Sequence, residues 1–238
     1  MGLDNKTLIS FKERANTYGK RMNWVKDKKF ILPLITEPFG TKQALEICAG
    51  TGKVSALFKD FGWEVTLLDS SYDMLQNSNQ VNFVVGDMHD IPFKKDSFDL
   101  VICRQGLQYS NLEKVFQEVY RVSKKEFRIA HITKEKSDET LFWEKYFEIA
   151  SPGRKHIFSP GQLEKVALEN NYKIVNKEVI AQQDYFLGPL LHFPEAKQKK
   201  LVNMLLDMDD KFKKIYNVRI VNGEITYSNR WEFIILEK

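Results

Sequence analysis

The run Glu46-Ile47-Cys48-Ala49-Gly50-Thr51-Gly52 sets an acid ahead of two glycines one residue apart, and a second acid, Asp69, follows 17 residues after Gly52. Glycines let a backbone turn tightly and approach a ligand, and a helix starting there offers unpaired N–H donors. An acid at the tip of the next strand can accept both hydroxyls of a ribose; capping the following helix is its alternative use. A nucleoside-bearing ligand follows. The dinucleotide fingerprint would need glycine at 48, 50 and 53, where the chain has Cys48, Gly50 and Lys53. A pyrophosphate cradle is therefore not indicated.

Groups able to move a proton near neutrality are His89, His131, His156 and His192. His131 falls near the end of an apolar run, where ligands gather in open α/β sheets, and with Tyr109 it forms the candidate catalytic pair. A satisfied interior histidine and a packing tyrosine are the bland alternatives. His156 and His192 are candidates to line the same region. Cys48 and Cys103 lie in apolar runs without a CxxC and read as free thiols, and no His/Cys/Asp cluster has metal-ligand spacing.

Alternating elements must position these groups. Apolar runs predict strands at Ala44–Cys48, Glu64–Asp69, Val81–Gly86, Phe98–Arg104 and Glu126–Ile132, with helices at Lys53–Phe61, Ser71–Asn77 and Asn111–Ser123. Strand–helix alternation demands right-handed crossovers and a mostly parallel sheet covered on both faces. A basic amphipathic helix is expected over Phe11–Phe30, with seven Lys/Arg against two acids. Later come a helix at Ser159–Asn171, strands at Tyr172–Ala181 and Arg230–Leu236, a long helix over Pro194–Asn217 and a tight Asn222-Gly223 turn. That long insertion suits a pocket cover or a subunit contact.

Over Gln43–Thr133 the chain resembles the class I S-adenosylmethionine-dependent methyltransferases. Glu46–Gly52 looks like their first motif, with Cys48 for its first glycine, and Leu67-Leu68-Asp69-Ser70-Ser71…Met74-Leu75 resembles the second. Gly86-Asp87-Met88-His89-Asp90-Ile91-Pro92-Phe93 and Asp96-Ser97-Phe98-Asp99-Leu100-Val101 resemble the third and fourth. The resemblance implies S-adenosyl-L-methionine as cofactor, touched by Tyr18, Glu46, Cys48, Ala49, Gly50, Gly52, Asp69, Ser70, Met74, Gly86, Asp87, Met88, Arg104 and Gln105. Asp69 would take the ribose and Asp87 the adenine amino group, with Met88 on the ring; Arg104 and Gln105 would lie near the methionyl amine. Tyr18 looks like the lid tyrosine of ubiquinone/menaquinone-type C-methyltransferases, whose following aspartate is Gly19 here. Candidate acceptor contacts are Tyr18, Trp24, Gln108, Tyr109, His156, Phe158, Tyr185 and His192.

The expected fold is α/β: a Rossmann-like, seven-stranded, mostly parallel sheet with an antiparallel C-terminal edge. An N-terminal helix and a helical insertion form its lid. The divisions are 1–40 (lid), 41–182 (cofactor-binding core), 183–228 (insertion) and 229–238 (final strand). The function implied is methyl transfer to a small, aromatic or heterocyclic metabolite; an RNA or protein methyltransferase, or a cofactor-binding protein without turnover, are the alternatives. Across 238 residues the charge is only +4, and Arg104-Gln105-Gly106-Leu107 lacks the (Asp/Asn)-Pro-Pro-aromatic motif of base-amine methylation. Nucleic acid is thus not the expected partner. With a polar N-terminus and no apolar stretch near the roughly 20 residues a membrane helix needs, a cytoplasmic protein is expected, with a homodimer compatible.

Overall fold

Strands whose two faces are both covered carry apolar runs instead of alternation. That is the pattern of β1 (Gln43–Ile47), β2 (Glu64–Asp69), β3 (Phe83–Val85), β4 (Phe98–Arg104) and β5 (Ser123–Thr133), which pair in parallel in the order β3-β2-β1-β4-β5. Beyond β5 the direction reverses: β8 (Glu224–Glu237) lies antiparallel between β5 and β6 (Lys173–Phe186). The computed structural model describes residues 5–15, 23–78, 82–135, 140–186 and 193–238. Among these residues no helix is long and apolar enough to cross a membrane.

One face of the sheet is covered by α5 (Leu112–Val122) and α7 (Gln162–Glu169). Leu112, Val115, Phe116, Val119 and Val122 of α5 form one buried stripe against Val101, Phe127 and Ile129. The other face is covered by α3 (Lys53–Asp60) and by Phe30, Ile31 and Leu34, which pack with Trp231 and Phe233. A third core joins Trp143 and Tyr146 of α6 (Thr140–Ala150), Leu201 and Leu205 of α8 (Glu195–Leu206), and Tyr216, Ile225 and Tyr227. It stands at the strand tips, beside the parallel strands' C-terminal ends.

Several expected elements change shape. The sheet has an eighth strand, β7 (Arg219–Val221), hairpinned onto β8 through Asn222-Gly223. Of the single helix expected over Phe11–Phe30, residues 16–22 lie outside the described residues; the described ones form the end of α1 (Asn5–Ala15), then α2 (Asn23–Lys26) and a 3-10 turn, Lys28–Phe30, with a second 3-10 turn, Leu32–Leu34, after them. Asp27 caps the first of these turns through Lys29 N–H, which ends α2. The Pro194–Asn217 helix is broken into α8 and α9 (Asp210–Ile215), because Asp209 accepts from Lys211 N–H and starts a new helix. Helix α7 begins after a left-handed Gly161, two residues later than Ser159-Pro160 suggests. Strands β6 and β8 run beyond their apolar stretches as a long antiparallel pair, with Tyr185 opposite Tyr227. Helix α6 has no counterpart in the expected pattern, although Trp143, Tyr146, Phe147 and Ala150 at i, i+3, i+4 and i+7 form one apolar face that packs into the third core.

Candidate functional site

At the tip of β1 the chain turns through three left-handed residues, Cys48 (φ 53°), Gly50 (φ 54°) and Gly52 (φ 65°), before entering α3. Glycine adopts this geometry freely, whereas a side chain at Cys48 costs roughly 1–2 kcal/mol. Behind the turn, buried Glu46 accepts from the backbone N–H of Ser55 at 2.9 Å and from its hydroxyl. Ser55 lies in the first turn of α3, so the carboxylate caps the helix and meets its positive end. Burial pushes the Glu46 carboxyl up to about 7, against the pull of Ser55 and the Arg104 guanidinium.

Asp69, half-buried at the tip of β2, accepts from Gly50 N–H at 2.8 Å and Ser71 N–H at 2.9 Å, one oxygen each. Burial raises its pKa against the pull of the Ser71, Gly50 and Ser70 backbone. The cap of α4 (Tyr72–Leu75) is Ser71, whose hydroxyl accepts from Met74 N–H at 3.3 Å. Asp69 is therefore not that cap; it ties the glycine turn to the turn after β2. Ala49 and Met74 are buried in the same region, and Ser70 is half-buried between them.

The third segment is held as tightly. Asp87 Oδ1 accepts from His89 N–H at 3.0 Å and lies 2.6 Å from His89 Nδ1; His89 Nε2 accepts from Asn111 N–H at 2.9 Å. Because Nε2 is an acceptor, Nδ1 carries the proton and donates to Asp87. Burial acts to raise the Asp87 pKa, but the His89 contacts outweigh it and hold the carboxyl below its ordinary value. Glu118 accepts from Ile91 N–H and Arg121 donates to the Ile91 and Phe93 carbonyls, pinning the loop to α5. Gly86 faces Leu68, whose Cδ1 would lie 2.8 Å from an added Cβ. Met88 is buried with its sulfur 3.3 Å from that of Cys48.

At the tip of β4, Arg104 Nη2 donates to the Val25 carbonyl at 3.0 Å, bringing α2 over the sheet. Gln105 is left-handed (φ 62°); its backbone N–H reaches the Ala130 carbonyl, and its buried Nε2 has no hydrogen-bond partner among the described residues. Gln108 Oε1 accepts from Gly106 N–H at 2.7 Å, and its carbonyl accepts from the N–H groups of Lys155 and His156. Tyr109 is buried, its hydroxyl 2.5 Å from Ser151 Oγ and its ring edge-on to Phe11. The 151–158 loop is thereby laid against the β4 tip, with His156 Nε2 donating to the Ser110 carbonyl at 2.8 Å.

His131, fully buried near the end of β5, has neither ring nitrogen hydrogen-bonded among the described residues and meets Phe158 edge-on at 4.2 Å. Burial, with Arg154 and His156 nearby, holds it well below the ordinary histidine value, so it is neutral at pH 7. Phe158 also stacks on His156. The structure thus gathers Gln108, Tyr109, His131, His156 and Phe158 at one place, and Glu46, Cys48, Gly50, Gly52, Asp69, Asp87, Met88 and Arg104 next to it. Tyr18 and His192 lie outside the described residues. Trp24 and Tyr185 are placed only as backbone positions in α2 and β6. Lys134, just past β5, meets Asn229 of β8 and Trp143 of α6, and neither Lys134 nor Asn229 carries a motif that would mark it beforehand.

Residues 45–130 match the methyltransferase domain family. A demethylmenaquinone methyltransferase of Thermotoga maritima is 32% identical over 123 residues, covering 49% of this chain and 52% of that protein. The chain thus spans about half the length of that curated relative. Among solved structures, the YcgJ protein of Bacillus subtilis superposes with a TM-score of 0.73 at 20% identity, over 91% of this chain and 98% of that one. Phosphoethanolamine N-methyltransferase 2 of Haemonchus contortus, bound to S-adenosylhomocysteine, gives 0.62 at 18% identity over 97% and 57%. At these identities the structures attest the fold.

Proposed function

We propose, on the premise that residues 45–130 are a class I S-adenosylmethionine-dependent methyltransferase domain, that this chain transfers a methyl group from that cofactor to a small molecule bearing an aromatic or heterocyclic ring. The observation that carries the reading is Asp69, a carboxylate at a strand tip that spans the glycine turn and the next segment. The surrounding groups fit the cofactor chemically. Left-handed Gly50 and Gly52 bring backbone close to a ligand, Asp69 accepts from ribose hydroxyls, and Asp87 has an acceptor suited to an adenine amino group. The cofactor supplies an electrophilic methyl group on a sulfonium.

What this chain's residues contribute is position and proton handling. Orienting two reactants supplies several kcal/mol of a displacement barrier, ~7–11 at best. Tyr109 and Gln108, fixed by Ser151 and Gly106, define one wall for the acceptor; Phe158 and His156 define another. Neutral His131 can accept a proton at a ring nitrogen if the acceptor atom carries one. The 1–40 segment and the 183–228 insertion close over the 41–182 core and the 229–238 strand; the Val25–Arg104 hydrogen bond and the Phe11–Tyr109 contact support the first of these lids.

The test is calorimetric titration with S-adenosylhomocysteine, then incubation of the cofactor with metabolite extracts and a search for products heavier by one methyl. Binding with methylation of a ring-bearing metabolite is the expected result. Uptake of a nicotinamide coenzyme in place of S-adenosylhomocysteine would overturn the reading.

A further inference from the structure

Past the end of β5 lies a lysine that the sheet does not need. Lys134 is 5% exposed, and its ammonium donates to Asn229 Oδ1 at 2.8 Å. It stands 3.9 Å from the centroid of Trp143, 4.6 Å from that of Tyr216 and 4.9 Å from that of Tyr227. Ring faces stabilise a cation, but they take up its N–H donors far less well than an oxygen does. No carboxylate of the described residues is paired with it; burial, with the nearby Arg154 cation adding to it, holds its pKa well below the ordinary lysine value.

The groups around it are also short of an acceptor. Asn229 must turn its oxygen to Lys134, since an ammonium only donates, and its buried Nδ2 has no partner among the described residues. Trp143, fully buried, has no partner for its indole N–H among them either. Buried donors left without acceptors are rare in folded proteins and mark a place where a further group belongs. Here the deficit has one sign: an ammonium, an amide N–H and an indole N–H are all donors. A neutral acceptor-poor ligand would leave them unmatched, whereas an oxyanion supplies acceptor lone pairs and negative charge together.

The place is continuous with the proposed transfer site. Lys134 N–H donates to the Phe158 carbonyl at 2.8 Å, the Phe158 ring touches His131, and His156 of the same loop is fastened to the β4 tip. We propose that the methyl acceptor carries an oxyanion, seated against Lys134, Asn229 and Trp143 while its ring lies toward His131 and Tyr109. This rests on the methyltransferase reading for the word acceptor, and the anion site itself does not depend on it.

Calorimetry on the full chain saturated with S-adenosylhomocysteine tests it, using matched probes at pH 7: 4-hydroxybenzoate, 4-hydroxybenzamide and phenyl phosphate. At least one of the two anions is expected to bind ten times more tightly than the neutral amide, and which of them does so separates a carboxylate from a phosphate monoester. Lys134→Met is expected to reduce that preference to within twofold while leaving S-adenosylhomocysteine affinity within twofold of the parent. Amide binding equal to or tighter than both anions, or absence of binding by both anions, overturns the proposal; so does a folded Lys134→Met protein that keeps the preference. If that variant does not fold, the anion-to-amide ratio of the parent protein decides alone. Failure of S-adenosylhomocysteine to bind overturns the methyltransferase reading instead, and the anion titration, repeated without it, still decides the anion site.

Discussion

Cys48 and Gly106 touch so closely that a Cβ built on Gly106 would lie 2.4 Å from the Cβ of Cys48 and 2.7 Å from its sulfur. Cysteine stands where the resembling motif has its first glycine, and the glycine has in effect moved across to the tip of the neighbouring strand. Gly106→Ala meets both this overlap and a φ of +112°. Loss of about 3 kcal/mol or more is expected from overpacking and backbone strain combined. In the double variant Cys48→Gly/Gly106→Ala the overlap is gone and only the strain remains, so at least 1 kcal/mol should return. Urea unfolding of the four proteins measures it; strict additivity would show that the contact is not what fixes the pair.

Asp69→Ala removes the acceptor for the Gly50 and Ser71 N–H groups and, under the proposed function, for the ribose of the cofactor. Hydrogen bonds to a charged group contribute about 1.5–3 kcal/mol each, so affinity for S-adenosylhomocysteine should fall 100-fold or more. Calorimetry reads the loss. Asp69→Asn, which keeps an oxygen but not the charge, should fall between the two.

Glu46 gives a pH signature with a definite sign. Its folded pKa, raised from 4.5 to about 7, means that the folded state holds a proton the unfolded chain releases near 4.5. The associated stability is fully present below pH 4.5 and lost as pH rises through 7, and its size is about 3 kcal/mol. Unfolding free energies at pH 5 and pH 8 are expected to differ by less in Glu46→Gln than in the parent. An unchanged difference would assign the pH dependence elsewhere.

His89 is a positioning residue: it holds Asp87 by two donors on one carboxylate oxygen, Oδ1. His89→Phe strips one of those donors and leaves Asn111 N–H without its acceptor, a cost of about 1–3 kcal/mol in stability. A general loss of stability would weaken all ligands alike. The specific expectation is that the preference for S-adenosylhomocysteine over S-inosylhomocysteine shrinks, because a carboxylate at Asp87 can accept from an adenine amino group and not from the exocyclic carbonyl that replaces it in hypoxanthine. Equal weakening of both ligands would reduce His89 to a structural link.

The sequence by itself determined the half of the molecule built from local signals. Short apolar runs define β1 through β5, with a glycine turn after β1 and an acid at the tip of β2, since a doubly covered parallel strand leaves its mark along the run. The same patterns exposed the glycine turn and Asp69, 17 residues after Gly52, and the family resemblance added Asp87. Tertiary structure alone decided the rest. The break of the N-terminal helix at Asp27 and of the insertion at Asp209 depends on side-chain caps that compete with helix propensity, and periodicity does not register that competition. The space for Cys48 is made by Gly106, 58 positions away, and the donors around Lys134 come from the residue after β5, from α6 and from β8, as far apart as residues 134 and 229. Groups so distant in the chain acquire a shared electrostatic environment only when the sheet brings its strand ends together, and no spacing along the sequence encodes that meeting.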